Sequence, residues 1–187
     1  MTTKQPVKQI VSRVVPLLVD DVDTDQIIPA RFLKTTQKAG LGAQLFNDWR
    51  GKQFKPVEGA RILLAGANFG CGSSREHAVW ALTDAGIAAV VARSFADIFR
   101  NNALKNGLVP VVVDEKVHAY LASARADDDG LQLTIDVATA QLTLPDGEVV
   151  SFPLEPFARR CLVEGIDELD YLVRHEADIA AFEARRA

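Results

Sequence analysis

The sequence predicts an α/β fold with a mixed parallel and antiparallel sheet and flanking helices. Short, continuous apolar runs at Ile62-Leu63-Leu64-Ala65, Ala88 to Ala92 and Leu108 to Val113 are separated by helical periodicities, the pattern of β-α-β units in a buried parallel sheet. Further along, Leu131-Gln132-Leu133-Thr134-Ile135 and Gln141-Leu142-Thr143-Leu144 alternate in the two-residue period of half-buried antiparallel strands. The tail from about residue 156 returns to helical spacing. The chain of 187 residues is expected to be a single domain with a helical C-terminal extension from about 156.

Taken in order, Val14 to Val19 reads as a first strand interrupted by Pro16, and it leads into Asp20-Asp21-Val22-Asp23-Thr24-Asp25. A calcium loop counted from Asp21 would need glycine at its sixth position and glutamate at its twelfth, where Gln26 and Phe32 stand. Two readings remain for this stretch: a turn with Asx-type hydrogen bonds and a helix cap, or a carboxylate, Asp25 first among them, that orients an arginine or a substrate group. The segment from Gln26 to Gly59 has no long periodicity, and it carries Arg31, Lys34 and Lys38 as cations that either face an anion or are simply solvated. Its glycines and charges leave little to bury, so mobility is expected from residue 35 to 59. Within it, Leu41, Leu45, Phe46 and Trp49 have the spacing of a short amphipathic helix and are expected in the core or an interface.

Asn68-Phe69-Gly70-Cys71-Gly72-Ser73-Ser74-Arg75-Glu76-His77-Ala78 joins the strand at 62–65 to the next helix. Ser73 with Glu76 has the spacing of a capping box, which would start the helix at the serines, and Ala78, Ala81, Leu82 and Ala85 then form its apolar face before Gly86. Two glycines allow positive φ and close approach to a ligand, the helix N-terminus favours negative charge, and Arg75 offers a fork for a carboxylate. Known phosphate and nucleophile turns do not fit. The P-loop lacks its lysine after Gly72, the hydrolase elbow lacks its second glycine, and a dinucleotide fingerprint would need glycine at Arg75.

Ser94 and Asp97 suggest a second capped helix that stops at Gly107, with Phe95, Ile98 and Phe99 on one face. Asn101, Asn102 and Asn106 fit either an exposed polar face or hydrogen bonds to a neighbouring loop or subunit. A helix from Lys116 to Ala124 follows, and Pro145-Asp146-Gly147 turns a hairpin into Val149-Val150-Ser151-Phe152. Cys161 sits on an apolar helical face as a small buried hydrophobe, while His118 and His175 lack metal-ligand spacing and receive no chemical role.

A net charge of -4 without a basic cluster argues against a nucleic-acid partner. No apolar stretch approaches the roughly 18 residues of a membrane span, and the N-terminus lacks a signal-peptide pattern, so a cytoplasmic protein is expected. Cys71 and Cys161 are too few to hold an iron–sulfur cluster.

Three segments together resemble a known family: Asp21 to Lys34, Asn68 to Leu82, and Arg93-Ser94-Phe95-Ala96-Asp97-Ile98-Phe99-Arg100-Asn101-Asn102. They are similar to the small subunits of 3-isopropylmalate dehydratase and, more broadly, to the swivel domain of aconitases. The resemblance implies a swivelling β/β/α fold and an obligate large subunit that holds a [4Fe–4S] cluster, with no cofactor on this chain. It implies a hydro-lyase of leucine biosynthesis that interconverts 2- and 3-isopropylmalate, active only with that partner. Ser73 would be the base, Ser74 and Arg75 would bind substrate carboxylate, Asp25 would be a substrate-site aspartate beside them, and Phe32, Leu33, Lys34 and Thr35 would select the substrate's variable end. Cys71 stands where aconitases carry glutamate, which favours the two-subunit branch. Phe32 and Leu33 suit a branched apolar tail, whereas Lys34 leaves open a homoaconitate-type substrate with an extra carboxylate, and a related diacid hydro-lyase of the homoaconitase or citraconate type is the alternative. A non-catalytic anion-binding module is the alternative from another class.

Overall fold

The structure is a computed structural model that describes residues 5–34 and 37–185. In chain order its strands are β1 (Gln9–Leu17), β2 (Ile62–Ala65), β3 (Ala89–Ala92), β4 (Val109–Val112), β5 (Gln132–Asp136), β6 (Gln141–Thr143) and β7 (Val149–Ser151). Its α-helices are α1 (Thr24–Ile27), α2 (Glu76–Asp84), α3 (Asp97–Lys105), α4 (Glu115–Asp127), α5 (Pro156–Glu164), α6 (Glu168–Arg174) and α7 (Glu176–Ala184).

All seven strands form one sheet in the order β4-β3-β2-β1-β5-β6-β7. β1 is its hinge line: it runs parallel to β2, with Val14 opposite Ile62 and Leu17 opposite Ala65, and antiparallel to β5, with Ile10 opposite Ile135. It starts earlier than the sequence suggested and keeps Pro16 inside the strand, where Pro16 aligns with Leu64. The mixed sheet and flanking helices are those expected.

Alternate residues on each parallel strand enter two cores. Leu63, Ala65, Val90 and Ala92 pack with Ala78, Val79 and Leu82 of α2 and with Phe99 and Ala103 of α3. On the opposite face Ile62, Leu64, Ala89, Val91, Val109 and Val111 pack with Leu121 of α4, Leu162 of α5 and the inward residues of β5 and β6. Every residue of β2 and β3 is buried, whereas β5 alternates buried and less buried positions. Apolar run and alternation therefore have one cause, the number of covered faces.

Three expectations are corrected. α2 begins at Glu76, with Arg75 at its N-cap and no side-chain cap, so Ser73 and Glu76 do not form a capping box. Glu76 Oε1 instead accepts a hydrogen bond from Asn106 Nδ2 at 2.7 Å. α3 likewise starts at Asp97 behind Ala96, and Ser94 Oγ accepts from the Asn68 N–H at 2.8 Å instead of capping the helix. The stretch expected to bury little does place Leu41, Leu45 and Phe46 in the core and Trp49 against it, as their spacing suggested, and adds Phe54, but through two 3₁₀ turns at Gly42–Gln44 and Asn47–Trp49 in place of an amphipathic α-helix. Phe46 is fully buried and its ring lies 4.6 Å from that of Phe54.

Candidate functional site

The Asn68–Arg75 turn leaves β2 and is held between two other loops by main-chain hydrogen bonds. On one side the Gly70 and Cys71 N–H groups donate to the Val22 carbonyl at 2.8 and 3.2 Å, and the Thr24 N–H donates to the Cys71 carbonyl at 2.9 Å. On the other, the Phe69 N–H donates to the Ser94 carbonyl and the Ala96 N–H to the Phe69 carbonyl, each at 3.1 Å. Asn68 and Asp21 both take left-handed backbone and are linked by Asn68 Nδ2 donating to Asp21 Oδ1 at 2.8 Å.

Two glycines make this packing possible. Gly70 has φ of 79° and Gly72 of 86°. A Cβ on Gly70 would lie 2.2 Å from Phe99 Cγ, and one on Gly72 would lie 2.0 Å from Asp23 Oδ2. The second contact matters because Asp23 is itself employed: it caps α1 by accepting from the Asp25 N–H at 2.6 Å, and Gln26 Oε1 accepts from the Asp23 N–H at 2.7 Å. Of the two readings of the aspartate stretch, the turn and cap describe Asp23, and the arginine-orienting carboxylate describes Asp25. Asp25 Oδ1 accepts a hydrogen bond from Arg75 Nη1 in a half-exposed ion pair.

Ser73 and Ser74 lie exposed at the crest of the turn, and neither hydroxyl has a hydrogen-bond partner among the described residues. The Ser73 carbonyl accepts from Thr24 Oγ1 at 3.1 Å, so a buried threonine fixes the main chain beneath the exposed hydroxyl. Thr24 was not singled out in the sequence. A Thr before an Asp in a polar stretch carries no signal of a partner 49 residues away.

Cys71 donates its thiol to the Asp21 carbonyl at 3.3 Å. Burial, followed by the negative charges of Asp23 and Asp21, pushes its pKa above the ordinary cysteine value, which keeps it neutral. Among the described residues no group of three or more His, Cys, Asp or Glu side chains could hold a metal ion. The donor set of this chain therefore does not fit an iron–sulfur cluster, which requires a set of thiolates.

Other sequence candidates fall outside this knot of loops. Phe32 and Leu33 pack half-buried against the core, and the Arg31 guanidinium sits 4.7 Å from the centre of the Phe32 ring while pairing with Asp48. Lys34 is exposed, Thr35 lies outside the described residues, and no hydrogen bond or ion pair joins 32–34 to the turn. Lys38 donates to Asn106 Oδ1 at 2.9 Å, and the same oxygen accepts from Trp80 Nε1 at 3.0 Å, so Asn106 bonds to a neighbouring loop. His118 is half-buried, with Nε2 donating to the Ala65 carbonyl at 2.7 Å, and serves the end of β2 structurally. Asp20 receives both short hydrogen bonds from Arg93 Nη2, at 2.6 Å each, and these hold its carboxyl below the usual carboxylate range.

Against known proteins, the aconitase C-terminal domain family matches residues 52–116, which include the turn, α2, β3 and α3. Over nearly the whole chain there is similarity to named small subunits. The small subunit of 3-isopropylmalate dehydratase from Anaeromyxobacter dehalogenans is 55% identical, with 97% of this chain and 99% of that protein covered. That from Chloroflexus aggregans is 52% identical, with coverage of 96% and 94%. This chain belongs to the 3-isopropylmalate dehydratase small-subunit family. A crystal structure of 3-isopropylmalate dehydratase from Methanocaldococcus jannaschii superimposes with a TM-score of 0.69 at 31% identity, covering 96% of this chain and 99% of that one. No helix among the described residues is long and apolar enough to cross a membrane.

Proposed function

We propose that this chain is the small subunit of 3-isopropylmalate dehydratase and supplies the proton-transfer and carboxylate-binding half of an active site completed by a large subunit. The observation that carries the reading is the exposed Ser73-Ser74-Arg75 crest on a backbone locked from both sides, in a chain 50–55% identical to named small subunits over nearly its full length. The hydration and dehydration that interconvert 2- and 3-isopropylmalate through isopropylmaleate need a base at one carbon and an acid at the departing hydroxyl. The second need is assigned to a [4Fe–4S] cluster on the large subunit, where it would supply Lewis-acid chemistry.

On this chain, Ser73 takes the proton from the carbon next to the departing hydroxyl and returns it on rehydration. A serine hydroxyl is a poor base in water, so the alkoxide must be stabilised electrostatically. The N-terminus of α2 begins three residues on, and Arg75, its N-cap residue, brings a guanidinium to the same turn. Burial of the exposed crest under the partner would strengthen both effects by excluding water. Arg75 and Ser74 hold a substrate carboxylate, and Asp25 aims Arg75 by occupying Nη1. Phe32, Leu33, Lys34 and Thr35 are assigned to the variable end of the substrate. Phe32 and Leu33 provide apolar contact for a branched tail.

Anaerobic reconstitution with the large subunit tests the reading, by following isopropylmaleate absorbance with 3-isopropylmalate, homocitrate-type and citraconate-type diacids. Turnover of isopropylmalate is expected only when both chains are present. Turnover confined to another diacid would keep the mechanism and overturn the substrate. No turnover with an intact cluster would overturn the assignment in favour of an anion-binding module.

A further inference from the structure

A second, unassigned concavity lies away from the serine turn and is lined by none of its residues. It has a volume of about 620 Å³ and is bounded by the 52–57 segment, the end of β1 with Leu18, and the last turns of α4. That size suits a small metabolite. Its cations are Lys52, Lys55 and Arg125, against the single carboxylate of Asp129.

Arg125 is the decisive residue, because it is 7% exposed and still not fully used. Nε donates to the Val14 carbonyl at 2.9 Å, and Nη1 donates to the Asp128 carbonyl at 3.4 Å and to Asp129 Oδ1. Nη2 has no hydrogen-bond partner among the described residues and is not sealed from solvent. A buried guanidinium with one open edge costs desolvation that a bound anion would recover. Asp129 neutralises Arg125 only weakly, since its side chain is fully exposed at 100% and well screened. Apart from Gln53, the remaining walls, Leu18, Val57 and Ala122 among them, are apolar.

We propose that this concavity binds a small aliphatic carboxylate, its head on Arg125 Nη2 with Lys52 and Lys55 and its chain along Leu18 and Val57. Such a ligand would bridge the 52–57 segment to α4 and to the strand that leads into Asp20–Asp25. The site is independent of the reaction assigned to Ser73.

The test uses the full-length ¹⁵N-labelled chain titrated with sodium hexanoate, with hexanamide and inorganic phosphate as comparison probes. Saturable shift changes are expected in the amides of Leu18, residues 52–57 and 122–126, absent with hexanamide. The exposed-site double variant Lys52→Gln with Lys55→Gln, which leaves the buried Arg125 in place, should bind hexanoate at least about fivefold more weakly. Absence of saturation by about 10 mM, unchanged binding by the double variant, shifts centred on residues 68–75, or phosphate binding as tightly as hexanoate would each overturn the proposal.

Discussion

The two halves of the sheet meet at β1 and differ in what their strand ends must do. In the parallel half, β2 and β3 are buried at every residue, and the loops leaving β1, β2 and β3 are laced into one another by main-chain hydrogen bonds. In the antiparallel half, β5 to β7 alternate toward solvent, and β5 and β6 end in tight turns of their own. Beyond them α6 and α7 leave Leu169, Leu172, Val173, Ile179 and Phe182 exposed at 42–69%. The parallel half thus presents groups with fixed backbone, while the antiparallel half closes the opposite core. Precise side-chain placement is built where strand ends have no freedom, which is where the Ser73-Ser74-Arg75 turn stands.

The sharpest way to break that contrast is to damage both halves equally. Ser73→Ala should reduce turnover of the reconstituted enzyme by about 10³-fold, the scale of a lost proton-transfer group, with assembly by size exclusion unchanged. Gly70→Ala should destabilise the chain by roughly 2–4 kcal/mol in denaturant melts, because the added methyl meets the Phe99 ring at a left-handed backbone. Gln132→Thr on the solvent side of β5 should change it by under about 0.5 kcal/mol. Comparable losses at both positions would show the contrast to be superficial.

Smaller effects sharpen it. Thr24→Val keeps the shape but removes the bond to the Ser73 carbonyl, so turnover should fall about tenfold with KM little changed, and Thr24→Ser should restore it. Asp25→Asn should mainly raise KM by several-fold, because Arg75 loses the partner that aims it. The Asp20–Arg93 pair gives a pH signature of known sign. The folded carboxyl titrates below its unfolded value, so its stabilisation is present above the unfolded pKa and disappears as pH falls through the lower folded one. An Asp20→Asn variant should therefore be less stable than the parent at neutral pH, and the gap should close in acid, as measured by melts across pH.

The parallel strands and hairpins were legible in the sequence because continuous apolar runs and strict alternation each follow from burial. Gly70 and Gly72 were legible because only a crowded left-handed turn asks for both. The capping residues were not. Ser73 with Glu76 and Ser94 with Asp97 satisfy a local pattern, yet Glu76 bonds Asn106 thirty residues on and Ser94 bonds Asn68 twenty-six residues back. Tertiary partners outcompete local ones of similar strength, and single-residue spacing carries no information about them. In the 37–59 segment, the spacing of Leu41, Leu45 and Phe46 did mark them for the core, but abundant charge hid Phe54 and the fact that the whole stretch packs down, because their core neighbours lie far away in sequence. Thr24 was silent for the same reason. At the site, residue types pointed to Ser73, Arg75 and Asp25, while the supports beneath them emerge only in three dimensions.

The most direct test of the central claim compares first-turnover formation of isopropylmaleate from 3-isopropylmalate by enzymes reconstituted with Ser73→Ala and with Ser74→Ala. If Ser73 is the base that this chain supplies, the Ser73 variant binds substrate and forms essentially no isopropylmaleate, whereas the Ser74 variant forms it with a raised KM. Normal first-turnover formation by the assembled Ser73 variant would contradict the account.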